Sequence, residues 1–175
     1  IKKPSHPAKN GILNRYLLGK IDKFENPQLK STGPNGQEWN LFDKGWCSCN
    51  TQTLFGDVTI LNGHWFPLHY FGASHTNIRY LNIIKPMMQD LLLLEKQRPV
   101  LAAIDLNYSK IETMLPDLFK NNAYVNALPD KPTTTKGEKQ DFILYTNAFT
   151  NLHAEIIKTN SDHELCLACL NFEFA

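Results

Sequence analysis

No stretch of this chain is apolar for long enough to cross a bilayer, which takes about 20 residues of helix. The two richest runs are Leu91 to Leu94, closed by Asp90 and Glu95, and Leu165 to Leu170. A helical membrane span is therefore not expected. Charge of one sign is equally scarce: 18 Lys and Arg face 17 Asp and Glu, a formal net charge of +1. That balance excludes an extended basic surface of the histone kind, although a local patch escapes a whole-chain count. Lys2, Lys3 and Lys9, and later Lys131 and Lys136 around a Thr triplet, read as solvated surface charge. No hydrophobic leader opens the chain, since Ile1 to Asn10 is polar and contains proline. A targeting segment removed from that end would leave no trace. Internal repeats, low-complexity tracts and linkers are absent too. With 175 residues, 42% of them hydrophobic, residues 1–175 read as a single domain with one core.

Cysteine is sparse and paired, as Cys47-x-Cys49 and Cys166-x-x-Cys169. Two short motifs of this kind can build a tetrahedral zinc site. Both, however, lie in strand-like runs, where residues three apart face opposite sides. Free thiols are the expected state, which leans towards a reducing, cytoplasmic compartment.

What the chain does contain is a set of short apolar runs, each bordered by polar residues. Val58 to Leu61 precedes His64, Val100 to Ile104 precedes Asp105 and Asn107, and Phe142 to Tyr145 follows Asp141. Ser161-Asp162-His163 then introduces the run from Leu165 to Leu170. Buried strands read as continuous aliphatic runs, and ligand-binding residues collect where such runs end. Acidic and imidazole groups are thus expected at the rim of an apolar interior.

The rest of the chain suits a mixture of strands and helices. Gly33-Pro34-Asn35-Gly36 is a turn signal between a strand near Leu29 and one at Trp39 to Phe42. Trp46 to Thr53 and Val58 to Trp65 continue an antiparallel meander. Apolar residues at helical spacing from Ile78 to Leu94 predict a helix over 76–97, which Pro86 should kink or divide. Ser109 and Glu112 have capping-box spacing, so a second helix should start at Ser109 and run past Leu115 towards Asn121, with Pro116 able to shorten it. Pro129 to Lys139 reads as an exposed, flexible connector. His69 and His75 read as surface histidines, and His6 and His153 receive no role. Trp65, Phe66 and Tyr70 are expected in core or loop packing.

In this order the islands resemble the endonuclease/exonuclease/phosphatase superfamily, which includes exonuclease III-like repair nucleases, pancreatic-type deoxyribonucleases and inositol-polyphosphate 5-phosphatases. Gly11-Ile12-Leu13-Asn14-Arg15 is similar to the family's Gly-aliphatic-aliphatic-Ser-Arg strand, and Asn62-Gly63-His64-Trp65-Phe66-Pro67 to the strand end carrying its catalytic His or Tyr. Asp105-Leu106-Asn107 resembles Gly-Asp-x-Asn with Ile104 in place of Gly. Asp141-Phe142-Ile143-Leu144 and Ser161-Asp162-His163 resemble the last two motifs. The resemblance implies an α/β (α+β) fold, a two-layer β-sandwich flanked by helices, here N-terminally incomplete.

It also implies a divalent-metal-dependent phosphoesterase, with a nuclease ahead of a phosphatase acting on small phosphorylated substrates. Ester hydrolysis needs an activated water, neutralised phosphoryl charge and help for the leaving alkoxide. By resemblance His163, supported by Asp141, contacts the phosphate. Asp105 orients or deprotonates the water, Asn107 holds the phosphate or Asp105, and His64 donates to a phosphoryl oxygen. Asp162 ligates Mg2+ or Mn2+, and nucleic acid is the expected partner.

The family's first two strands, one ending in a metal-site Asn and one in Gln-Glu, have no counterpart here. Gln37-Glu38 follows the Gly11–Arg15 strand and sits in a turn-like stretch, and Glu25 also reads as loop. The chain is then a fragment, half of a two-chain enzyme, or a shortened homologue. The first two call for an N-terminal partner segment or chain that completes the sandwich. A non-catalytic binding or scaffold module of the same fold is the main rival, and a metal-free hydrolase a third reading.

Overall fold

The structure is a computed structural model that describes residues 13–17, 30–32, 38–40, 45–53, 56–65, 67, 75–76 and 78–172. Its centre is a mixed sheet of six strands. In chain order these are β1 (Leu13–Leu17), β4 (Gly45–Thr53), β5 (Gly56–His64), β6 (Val100–Asp105), β7 (Val125–Asn126) and β8 (Asp141–Tyr145). Their spatial order is β1-β4-β5-β6-β8-β7. Only β5 and β6 run parallel; the other pairs are antiparallel. A parallel pair needs a long crossover, and the 20-residue helix α1 (Ile78–Gln97) supplies it. Pro86 does not divide α1. A short pair, β2 (Lys30–Thr32) with β3 (Glu38–Asn40), flanks the turn signal at 33–36, which itself lies outside the described residues.

Side chains alternate across a strand, so the central sheet feeds two cores. On one face Leu61, Ala102, Ile104, Phe142 and Leu144 pack with Leu91 of α1 and with Ile111, Met114, Leu115 and Leu118. On the other, Val58, Leu101, Ile143 and Tyr145 meet a second sheet, the hairpin of β9 (Phe149–Ile157) and β10 (Leu165–Phe172). Ala154, Ala168, Leu170 and Phe172 face that core, and Phe149 stacks on Phe172 at 4.9 Å between ring centroids. The result is the sandwich with flanking helices that the sequence led us to expect.

The second helix is shorter than its spacing suggests. It forms as two single turns, α2 (Ile111–Met114) and α3 (Pro116–Phe119), followed by a 3-10 turn at Lys120–Asn122. Its N-cap is Lys110 and no side chain caps it, so the Ser109–Glu112 box is not made. A residue preceding proline is disfavoured in the α region, and Leu115 accordingly sits at φ −127°, ψ 56° and breaks the helix. Cys166 is half-buried and Cys169 exposed on β10, and both are free, as is Cys49. Strand alternation parts the C-x-x-C pair as expected; the side chain of Cys47 lies outside the described residues. No helix among the described residues is long and apolar enough to cross a membrane.

Leu144 is fully buried in the middle of this arrangement, whereas Leu165 is 53% exposed on the outer face of β10. Leu144→Ala should lower unfolding free energy by about 2–5 kcal/mol. Leu165→Ala should change it by less than about 0.5 kcal/mol. Urea denaturation followed by tryptophan fluorescence checks both.

Candidate active site

The site is assembled by strand register. His64 ends β5, Asp105 ends β6 and Asp141 begins β8; His64 pairs with Asp105 and Asp105 pairs with Asp141 across the sheet. Three ionisable side chains from positions 41 and 36 residues apart are thereby set in one row at one end of the sheet. His64 Nε2 lies 3.1 Å from Asp105 Oδ2. The row continues through His163, whose Nδ1 is 2.9 Å from Asp141 Oδ2 and whose Nε2 is 4.0 Å from Asp105 Oδ2.

Asn107 locks the ends of β5 and β6. Its side-chain amide donates to the Trp65 carbonyl at 2.8 Å and its backbone N–H to Asp105 Oδ1 at 3.0 Å. The Trp65 N–H donates to the Asp105 carbonyl at 2.7 Å. Asn107 adopts φ 52°, a left-handed conformation that asparagine tolerates better than most residues.

The segment 129–139 departs from the flexible connector that its composition suggests. Thr133 is fully buried and Thr134 nearly so. The Thr133 hydroxyl accepts the N–H groups of Gln140 at 2.9 Å and Asp141 at 3.0 Å, while its carbonyl accepts the Glu164 N–H at 2.8 Å. Thr134 forms a β-bridge with His163, and the Thr135 N–H donates to the Asp162 carbonyl at 3.0 Å. This strap therefore ties both halves of the Asp141–His163 pair to one loop. Thr133 is a positioning residue that sequence reasoning missed; the Thr triplet directly after Pro132 was the available signal.

Electrostatics divide the site into one fixed anion and one favoured cation. Burial pushes the Asp105 carboxyl up, but the His64 hydrogen bond and charge, the Asn107 N–H and the His163 charge outweigh it and hold it below the usual range. For His163 burial acts downwards, yet the hydrogen bond to Asp141 and the charges of Asp141, Asp105 and Asp162 raise it above 6.5. An ionised carboxylate beside an imidazolium is suited to holding a phosphoryl oxygen and a water together.

Among the described residues, Asp105, Asp141 and His163 each present a ligand atom within 4.8 Å of the others, close enough to share a metal ion. Carboxylate oxygens suit hard divalent cations. Asp162 stands apart from that group: it is exposed, and its carboxylate accepts from the Ser161 hydroxyl at 3.0 Å. Of the six sequence-selected residues, the structure brings His64, Asp105, Asn107, Asp141 and His163 together and leaves Asp162 at the rim. Glu25 and Gln37 lie outside the described residues, and Glu38 opens β3.

No family model and no curated protein matches the chain. Solved structures do. An endonuclease/exonuclease/phosphatase of Beutenbergia cavernae aligns over 96% of this chain and 46% of its own, with 15% identity and a TM-score of 0.62. The human Nocturnin catalytic domain, solved with a bound sulfate anion, aligns over 93% of this chain and 60% of its own at 14% identity and TM-score 0.60. An endonuclease/exonuclease/phosphatase of Bacteroides vulgatus covers 93% and 65% at 17% identity and TM-score 0.58. This chain thus spans about half to two thirds of the length of these structures. It has the endonuclease/exonuclease/phosphatase fold.

The raised His163 gives a direct check. Because its folded value lies above the unfolded one, its stabilising contribution is complete below pH 6.5 and is lost as pH rises through the raised value. In the metal-free protein, NMR titration of the His163 ring should give a midpoint above 6.5, and Asp141→Asn should lower it.

Proposed function

We propose that this chain, built on the endonuclease/exonuclease/phosphatase fold, hydrolyses phosphodiester bonds of nucleic acid with the help of Mg2+ or Mn2+. The carrying observation is the His163 imidazole, hydrogen-bonded to Asp141 at 2.9 Å with its other nitrogen turned to Asp105 at 4.0 Å. An imidazole in that setting carries positive charge at a point where a phosphoryl oxygen can be received, next to a carboxylate that stays ionised. The sulfate in the Nocturnin domain, a tetrahedral oxyanion, agrees with phosphoryl recognition on this fold.

The roles follow from these contacts. His163 donates to a non-bridging phosphoryl oxygen and is kept protonated by Asp141. Asp105 accepts a hydrogen bond from the attacking water and turns its lone pair towards phosphorus. Asn107 holds Asp105 in place, and His64, about half exposed at 50%, is the second donor to the phosphoryl group. Asp105, the ionised carboxylate of the Asp105–Asp141–His163 group, would hold the metal, and Asp162 stands apart from that group. When bound, the ion supplies charge neutralisation and lowers the pKa of a bound water.

The outer face of the β9–β10 hairpin exposes Leu152, Leu165 and Leu167, and β10 pairs only with β9 among the described residues. A segment carrying the family's Gln-Glu strand, in the same chain or another, would extend that sheet and bring a further carboxylate to the metal.

Cleavage of plasmid DNA in Mg2+ or Mn2+ tests the proposal. Asp105→Ala and His163→Ala should each reduce the rate by about 10²–10³-fold. Cleavage that is insensitive to both substitutions would refute the assignment. Turnover of phosphomonoesters with DNA left intact would move the function to a phosphatase. Activity appearing only after a segment with the Gln-Glu strand is added would show that the site is shared.

A further inference from the structure

The strap accounts for one side of His163 only. Glu164 gives its N–H to the Thr133 carbonyl and Asp162 receives the Thr135 N–H, so the residues before and after the imidazole are tied to 133–135. The carbonyl of His163 itself is taken by the turn between β9 and β10, where the Thr159 hydroxyl donates to it at 2.7 Å. The same hydroxyl oxygen accepts the Ser161 N–H at 3.1 Å. In turn the Thr159 N–H donates to the Glu164 carboxylate at 2.6 Å. Thr159 is thus bonded both to His163 and to the residue that follows it.

Apolar packing does little to fix this turn, because residues 158–162 are all exposed. Its hydrogen bonds carry that task, and their chemistry suits it. A threonine hydroxyl donates and accepts at once, and an N–H bond to a carboxylate is roughly twice as strong as a neutral one.

The consequence is felt at the ring. The Thr159 bond fixes the peptide that follows His163, and the rotamers open to a side chain depend on its backbone angles. The imidazole has to meet Asp141 at 2.9 Å through Nδ1 while Nε2 stays 4.0 Å from Asp105. Hydrogen bonds weaken steeply as they bend, so a backbone rotation at His163 loosens its hold on Asp141 and turns Nε2 away from Asp105.

We propose that Thr159 and Glu164 are positioning residues for His163, their linked hydrogen bonds setting the backbone geometry that aims the imidazole between Asp141 and Asp105. Their effect on rate rests on the hydrolase reading; their effect on the ring does not.

The test compares Thr159→Val, which keeps the branched shape and removes the hydroxyl, with Thr159→Ser, which retains it. Glu164→Ala is compared with Glu164→Gln, whose amide oxygen still accepts an N–H. The readout is the χ1 rotamer of His163, taken at one pH from three-bond couplings of Cγ to the backbone nitrogen and carbonyl carbon of the metal-free, isotope-labelled chain. The parent, Thr159→Ser and Glu164→Gln should hold a single rotamer, and Thr159→Val and Glu164→Ala should give averaged couplings. In Mg2+-dependent plasmid cleavage the last two should lower kcat by about 3–10-fold, the worth of one hydrogen bond, with KM little changed. The Ser and Gln variants should recover the parent rate. Thr159 is exposed, so its substitutions carry the test if a Glu164 variant unfolds. Parent-like couplings in Thr159→Val overturn the proposal, and so does averaging in Thr159→Ser as well. Averaged couplings with rescue, in a chain that cleaves no phosphoester, would refute the hydrolase reading and leave the positioning role standing. Slower cleavage by Thr159→Val with the rotamer unmoved would do the reverse.

Discussion

The pairing of β5 with β6 and of β6 with β8 is the constraint on which the rest of this molecule depends. It sets His64, Asp105 and Asp141 opposite one another at one sheet end. Side chains alternate with a period of two, so a slip of one residue in either pairing would send a carboxylate to the other face and turn core residues outward. The same register buries Ala102, Ile104, Phe142 and Leu144 against α1 and the short helices. The geometry of this cluster and core packing are therefore not separable here: what stabilises one specifies the other.

A second layer of organisation comes from hydrogen bonds that close the site from outside the sheet. Thr133 accepts two N–H groups at the start of β8 and gives its carbonyl to Glu164, while Thr134 bridges to His163. Buried polar groups are costly unless paired, so a threonine with no exposure and four hydrogen bonds, to Gln140, Asp141, Glu164 and Glu138, is held in a narrow geometry. These bonds thus convert a long, polar loop with two prolines at its start into a bracket. Asn107 performs the matching task for β5 and β6.

Much of the fold was legible because it follows from local pattern. Continuous aliphatic runs marked β5, β6 and β8, and helical spacing marked α1 to its last residue, Gln97. The polar islands at the ends of those runs marked His64, Asp105, Asn107, Asp141 and His163. The second helix was over-read, because a capping-box spacing at Ser109 was weighed above the constraint that Pro116 places on Leu115. The 129–139 strap was under-read, because composition reports how polar a segment is and not how many of its groups find partners.

By itself the sequence marked the runs that form β5, β6, β8 and α1 and the chemical groups that stand at their ends, since both depend on neighbours within a few positions. Only the tertiary structure decided that Asp141 meets the His163 imidazole, that Asp162 stays at the rim, and that Thr133 braces both partners of the pair. Those outcomes turn on sheet register and on hydrogen bonds between residues 8 to 41 positions apart. Such contacts form when distant segments pack together, and nothing in the local pattern of either segment encodes them.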